Sequence, residues 1–274
     1  MLELFHNLSD EYGFSALMYN LMFTRDKDGF SPIEVACVKG EQQILEYCVT
    51  RMNKSFELQL MHFSAFTSNL TFINYVHRKH GRSFLADTGH NNRTVLHYAC
   101  MSKRENLEMI KFLCRDLEFD INAKDEQDLT PLLLAASVGN ATTVEYLMTL
   151  PSTELTFDED NNNVLHLACS SGSEKTALTV MRLADKLGIV DTLVASVNAF
   201  KQTPLHLAAQ KGLCDVTQEL ICNGASINDA DDFNYTPMMY CARDPKAASC
   251  IKMLFTIFES EIQNKSKMTD VTFD

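Results

Sequence analysis

The chain predicts an all-α fold, a solenoid of stacked helix-turn-helix units carrying hairpin fingers. Three observations support this expectation. A helix-starting tetrad, Thr203-Pro204-Leu205-His206, recurs in altered form along the 274 residues. The copies begin near residues 31, 59, 94, 130, 163, 203 and 236, so the steps are 28, 35, 36, 33, 40 and 33 residues. Units that short cannot each bury a core, so neighbours must cover one another.

The clearest copy is Asn198 to Asp231. Thr203 is placed to cap a helix start by accepting a backbone N–H. Pro204 follows at the first helical position, where its missing donor costs nothing. Leu205, Leu207, Ala208 and Ala209 form a small apolar face, and Gly212 stops the helix. A second helix is expected over about Val216 to Cys222, burying Val216, Leu220 and Ile221, with Gly224 as its stop. The pattern Thr-Pro-Leu-His-x-Ala-Ala-x-x-Gly…Leu-Ile-x-x-Gly-Ala resembles an ankyrin repeat. The resemblance implies an ankyrin-repeat solenoid over residues 26–259, after a partial repeat or helical cap at 1–25 and before a disordered tail at 260–274.

Residues 1–25 place Leu17, Met18, Leu21 and Met22 at helical spacing, with Phe14 and Phe23 adding apolar bulk. A solenoid end in water carries a polar outer face, so this apolar end implies preceding repeats or a covering partner. Asp26-Lys27-Asp28-Gly29 resembles a hairpin tip with Gly at a positive φ. Asn92, Asn161 and Asn234 fill that slot elsewhere, whereas Asp128 and Lys201 suit it less well, so distorted hairpins are expected there. The degraded copy at Gln59–Ala65 is followed by an outer helix expected over Leu70–His80, ended by Gly81, and then a polar connector over Arg82–Asn91. Leu107–Cys114 forms the next outer helix, and Pro151 closes the fourth unit. The fifth unit's outer helix is expected over Glu174–Lys186, stopped by Gly188, with an enlarged loop containing Ile189, Leu193 and Val194. In the last unit Asp244-Pro245 opens an outer helix supplied with Cys250, Met253, Leu254, Ile257 and Phe258. From Ser260 the chain is polar and aperiodic.

A formal charge of −12 disfavours nucleic acid and anionic membrane as partners. No apolar run approaches the roughly 18 residues of a membrane span, so no membrane insertion is expected. The N-terminus has no basic n-region, and no secretory signal is read there. Nine cysteines, an odd number without a Cys-x-x-Cys pair, fit a reducing compartment, the cytoplasm or the nucleus. Cys37, Cys100 and Cys169 share one small-residue position of the inner helix, and Cys241 takes the position before it, where a thiol acts as a small hydrophobe. His62, His97, His166 and His206 share the fourth tetrad position. A neutral imidazole there, with one donor and one acceptor, suits bridging within and between repeats. His77 and His80 lack zinc-spaced partners and read as helix surface. Asp158-Glu159-Asp160 lacks the alternating ligands of a calcium loop and reads as an exposed acidic finger. Phosphate-binding, dinucleotide-binding and Gly-x-Ser-x-Gly motifs do not occur. No cofactor, metal site or enzymatic activity is expected.

Recognition is the remaining function. In the fold that the resemblance implies, finger tips and inner helices line one concave face. The tip candidates for partner binding are Lys27, Asp28, Glu126, Gln127, Glu159, Asp160, Phe200 and Phe233; the inner-helix candidates are Met101, Ser137, Ser170, Gln210 and Lys211. The two phenylalanines are placed as anchors, or else fold back onto their own hairpins. Leu155-Thr156…Asn163-Val164-Leu165-His166-Leu167-Ala168-Cys169-Ser170-Ser171-Gly172, then Lys201-Gln202-Thr203-Pro204-Leu205-His206, then Gln218-Glu219-Leu220 with Gly224-Ala225-Ser226, is similar to the C-terminal repeats of the ankyrin-repeat regulatory subunits of protein phosphatase 6. That resemblance implies a non-enzymatic scaffold joining a Ser/Thr phosphatase catalytic subunit to a second regulatory subunit. The alternative is an ankyrin adaptor for an unrelated channel, receptor or transcription regulator. An enzyme with a site in the enlarged fifth loop is a third reading. Val271-Thr272-Phe273 has the V-x-F core of a phosphatase-docking peptide but lacks preceding basic residues, and reads as ordinary tail.

Overall fold

A computed structural model describes residues 24–270 other than 28, 30, 51–53, 104–105 and 244–246, together with their side chains except 48, 49, 55, 56 and 260–270. The expectations for residues 1–23, Asp28, Asp244-Pro245 and the Val271-Thr272-Phe273 tail lie outside those residues. The described residues are helical with no strand, and the chain divides into two compact units, residues 1–126 and 127–274.

The first unit begins with α1, Pro32–Lys39, and α2, Gln42–Val49. Ser31 caps α1: its hydroxyl accepts the Glu34 N–H, and its own N–H donates to the Glu34 carboxylate at 2.7 Å. The degraded copy forms a long inner helix, α3, Lys54–Phe66, followed by α4, Leu70–His80, with Asn69 as its cap. The Asn69 amide also donates to the Cys37 carbonyl, tying one repeat to the previous one. Next come α5, Arg82–Leu85, then α6, Val95–Cys100, and α7, Leu107–Lys111, which runs into a wider π-type turn at Phe112–Asp116. Inner helices α1, α3 and α6 pack in succession, and outer α2 packs on outer α4. Leu45, Met61, Phe72, Ile73, Leu85, Leu96, Ile110 and Leu113 are fully buried between them, each contributing about 1.5–3 kcal/mol of apolar burial.

The second unit alternates inner and outer helices: α8 Pro131–Val138, α9 Ala141–Met148, α10 Val164–Ser170, α11 Glu174–Lys186, α12 Val190–Ala195, α13 Pro204–Lys211, α14 Cys214–Cys222, α15 Pro237–Cys241 and α16 Ala248–Asp270. Inner α8, α10, α13 and α15 pack one on the next, as do outer α9, α11, α14 and α16. Leu133, Val144, Leu165, Val180, Leu205, Val216, Leu220 and Leu254 fill the interior.

The backbone departs from the sequence reading at several points. The connector after Gly81 contains α5, because Phe84 and Leu85 are apolar enough to be buried against the helices before it. The enlarged fifth loop contains α12, which buries Val190, Leu193 and Val194 on the side of α10 and α11. The fingers at Asp128 and Lys201 are not distorted: their φ values of 57° and 56° match the 60° and 59° of Asn161 and Asn234. The backbone beyond Ser260, read from sequence as disordered, is helical to Asp270; no Pro or Gly interrupts 251–270, and Glu, Gln, Lys and Met are good helix formers.

Candidate partner-binding surface

Three fingers of the second unit are each built by one side chain at the base. The Asp158 carboxylate accepts the N–H groups of Asp160 and Asn162 at 3.1 and 2.7 Å. The Asn198 side-chain oxygen Oδ1 accepts those of Phe200 and Gln202 at 3.0 and 2.9 Å. Asp231 accepts those of Phe233 and Tyr235 at 2.9 and 2.8 Å. These bonds fold the chain so tightly that the residue after each tip adopts a left-handed backbone.

The tips then join one another through backbone bonds. Glu159 N–H donates to the Gln127 carbonyl, Ala199 N–H to the Asp160 carbonyl and Asp232 N–H to the Phe200 carbonyl, at 3.1, 2.7 and 3.1 Å. Lys201 adds an ion pair to Asp232 at 2.7 Å. The result is a ladder of tips that runs from acidic Glu159 and Asp160 to aromatic Phe200 and Phe233. Phe200 is 44% exposed and Phe233 66% exposed, so neither ring is buried in its hairpin. In the first unit Glu126 N–H donates to the Asn91 carbonyl in the same way.

The last finger rests on a buried polar network. Tyr240 O–H donates to Asp231 at 2.6 Å, and the Gln202 amide donates to the Tyr240 oxygen at 2.7 Å. Burial works against the Asp231 carboxylate, but hydrogen bonds from Tyr240, Tyr235 and Phe233 outweigh it and leave its pKa below the ordinary value. Burial first, and the neighbouring Asp231 second, push the Tyr240 phenol up.

The tetrad histidines do structural work. Thr203 N–H donates to His206 Nδ1 at 3.1 Å, and His206 Nε2–H donates onward to the Tyr235 carbonyl at 3.1 Å, one repeat away. His166 likewise accepts the Asn163 N–H and donates to the Gln202 carbonyl at 3.0 Å. His62 contacts the Asp87 carbonyl, and Thr94 N–H donates to His97 Nδ1. Burial pulls His62 and His166 down to about 4 and lowers His206, keeping all three neutral near pH 7.

The other expected site residues fall into two groups. Lys27, Glu126, Glu159, Asp160, Ser170, Gln210 and Lys211 are exposed. Gln127, Met101 and Ser137 are half-buried, and the Ser137 hydroxyl donates to the Leu134 carbonyl within its own helix. Met101 lines a cleft of about 580 Å³ in the first unit, with Phe63, Phe66, His62, Tyr98 and Glu34. His62 and Tyr98 stack there at 4.6 Å, and Gly89 lies so close that a Cβ would sit 2.7 Å from both. Sequence reading missed this cleft because its aromatics come from residues about one repeat apart. His80 is also more than helix surface: it bonds to Glu57, a buried carboxylate, at 2.7 Å and stacks on Phe84. Near the fifth unit's extra segment, a cleft of about 350 Å³ is lined by Leu150, Pro151, Leu155, Leu183, Leu187 and Lys186, with no facing pair of titratable groups among the described residues. Among the described residues no group of three or more His, Cys, Asp or Glu side chains could hold a metal, and no helix is long and apolar enough to cross a membrane.

The sequence profile described as ankyrin repeats (3 copies) matches residues 14–125, 117–187 and 180–267. Human transient receptor potential cation channel subfamily A member 1 is 26% identical over 142 residues, 52% of this chain and 12% of the channel. Its Drosophila melanogaster counterpart is 27% identical over 210 residues, 74% of this chain and 15% of that protein. Human Rabankyrin-5 is 28% identical over 143 residues, 50% of this chain and 11% of its own length. The matches therefore span a small fraction of these relatives. Among solved structures, a chain from the complex of the Bd0816 predatory endopeptidase of Bdellovibrio bacteriovorus with immunity protein Bd3460 is similar in fold. The TM-score is 0.58 at 19% identity, over 72% of this chain and 96% of that one.

Proposed function

We propose, from the premise that this chain belongs to the ankyrin-repeat family, that its second-unit finger ladder is the surface it offers to a protein partner. Ankyrin repeats are interaction modules, generally non-enzymatic, so a protein-interaction scaffold is the function the family carries. The observation that carries the site is the pair of exposed rings, Phe200 and Phe233, fixed on tips bonded to one another. Aromatic anchors on a preorganised backbone lose little entropy on binding. The acidic tips beside them fit a partner segment that carries basic residues next to an apolar one.

The finer reading is a regulatory, substrate-targeting subunit resembling those of protein phosphatase 6, contacting a catalytic and a second regulatory subunit in the cytoplasm. Its support is the sequence resemblance over Leu155–Ser226. A pull-down with the purified chain and the phosphatase 6 catalytic and regulatory subunits tests it. Recovery that falls at least about tenfold with Phe233→Ala, at unchanged Tm, is the expected result. Failure to recover either subunit removes the phosphatase reading. The second reading, an adaptor for an unrelated partner, draws on the likeness to the subfamily A channels.

A further inference from the structure

Two cysteines outside the finger ladder lie unusually close. Cys214 occupies the first turn of α14 and Cys250 the first turn of α16, 36 residues later. Their sulfur atoms are 2.6 Å apart, a short step from a covalent S–S bond of about 2.0 Å. The approach has a cause in the backbone. Gly212, at φ 69°, ends α13 against Ala247, whose Cα lies 3.3 Å from where a Cβ on residue 212 would stand. A side chain there would push Ala247, the residue before α16, back by a few tenths of an ångström. The absence of a side chain lets the two helix starts meet, and the thiols meet with them.

We propose that Cys214 and Cys250 form a reversible oxidation site, an intramolecular disulfide that staples the last repeat to the one before it. Cys214 is half-buried and Cys250 fully buried, so the reagent enters at Cys214. With oxidised glutathione as oxidant, the Cys214 thiolate attacks one glutathione sulfur and releases one reduced glutathione. The Cys250 sulfur, losing its proton to solvent, then attacks Cys214 Sγ and displaces the second. The protein loses two electrons and two protons, and the glutathione disulfide gains them. Burial raises the Cys250 thiol pKa, so the second step gains speed at alkaline pH. The closed loop, residues 214–250, contains α15 and the finger carrying Asp232 and Phe233. Oxidation therefore restrains the finger that the functional reading makes an anchor, although the cross-link itself does not depend on that reading.

The test incubates the full chain with oxidised glutathione and maps peptides without reduction. The expected product is a monomer lighter by two hydrogens, with a single linked peptide pair containing Cys214 and Cys250. Reduction should reverse it, and amide exchange in α15 and in residues 248–254 should be slowed by about tenfold or more in the oxidised form. Cys214→Ser and Cys250→Ser should each abolish the linked pair, and Cys250→Ser should instead trap glutathione on Cys214. Stable glutathione adducts on wild-type Cys214, linkage of either cysteine to Cys241 or Cys222, or a linked dimer without the intramolecular pair would each overturn the proposal. These wild-type outcomes stand whether or not the variants fold.

Discussion

Tyr240 shows how one side chain holds a recognition element in place. Its hydroxyl donates to the buried Asp231 carboxylate, and that carboxylate holds the N–H groups of Phe233 and Tyr235. Tyr240→Phe keeps the ring and its edge-on packing against His206 but removes the donor. A buried carboxylate that loses a hydrogen bond costs about 1–3 kcal/mol, so stability should fall by that amount. The Asp231 carboxyl should also titrate at a higher pH than in the wild type, since the lost bond favoured the charged form. Carbon-detected NMR of the Asp231 carboxyl reads the shift directly. An unchanged titration would mean that backbone donors alone set the finger.

At the scale of the element, the helices divide by whether their own residues define them. The expected bounds of α4 and α11, Leu70–His80 and Glu174–Lys186, are those observed, because three-to-four-residue apolar spacing lies within each stretch and a capping side chain and a closing Gly flank it. Helices α5 and α12, of four and six residues, are too short to show a period, and neighbours supply their burial. The left-handed turn at Lys201 was unreadable for a related reason. Local propensity opposes it, but the Asn198 side chain imposes it by holding the N–H groups of Phe200 and Gln202 on either side. The finger tips were legible from the repeat register, whereas their bonding from tip to tip and the aromatic cleft of the first unit arise only when repeats stack. Face assignment along α13 has a direct test. Leu205 is fully buried and Gln210 exposed. Leu205→Ala should cost about 2–5 kcal/mol, while Gln210→Ala should leave the denaturation midpoint within about 0.5 kcal/mol of wild type. Comparable losses from both would contradict the division into buried and open faces.

The molecule as a whole carries the tetrad histidine in both units, and this couples its stability to pH. His62 in the first unit and His166 in the second are held near 4 by burial, and His206 is lowered as well. In the unfolded chain each titrates near 6.5. Above about pH 6.5 both states are neutral at these rings, and their contribution to stability is fully present. Between about 6.5 and 4 the unfolded chain takes up protons that the folded chain refuses, so stability falls as pH falls. The slope approaches about 1.4 kcal/mol per pH unit for each histidine. With two such rings, lowering the pH from 7.5 to 5 should cost several kcal/mol and lower the Tm by about 10 °C. The carboxylates act at lower pH: Asp231, with its lowered pKa, loses its contribution only as pH drops through the acidic range, which separates it from the histidine window. The direction also opposes the bulk charge effect. Protonating histidines brings a chain of charge −12 closer to neutrality and would relieve self-repulsion. A Tm that holds steady or rises between pH 7.5 and 5, or NMR resonances of His62 and His166 that titrate near 6.5 in the folded protein, would show that these rings are not held neutral between the repeats.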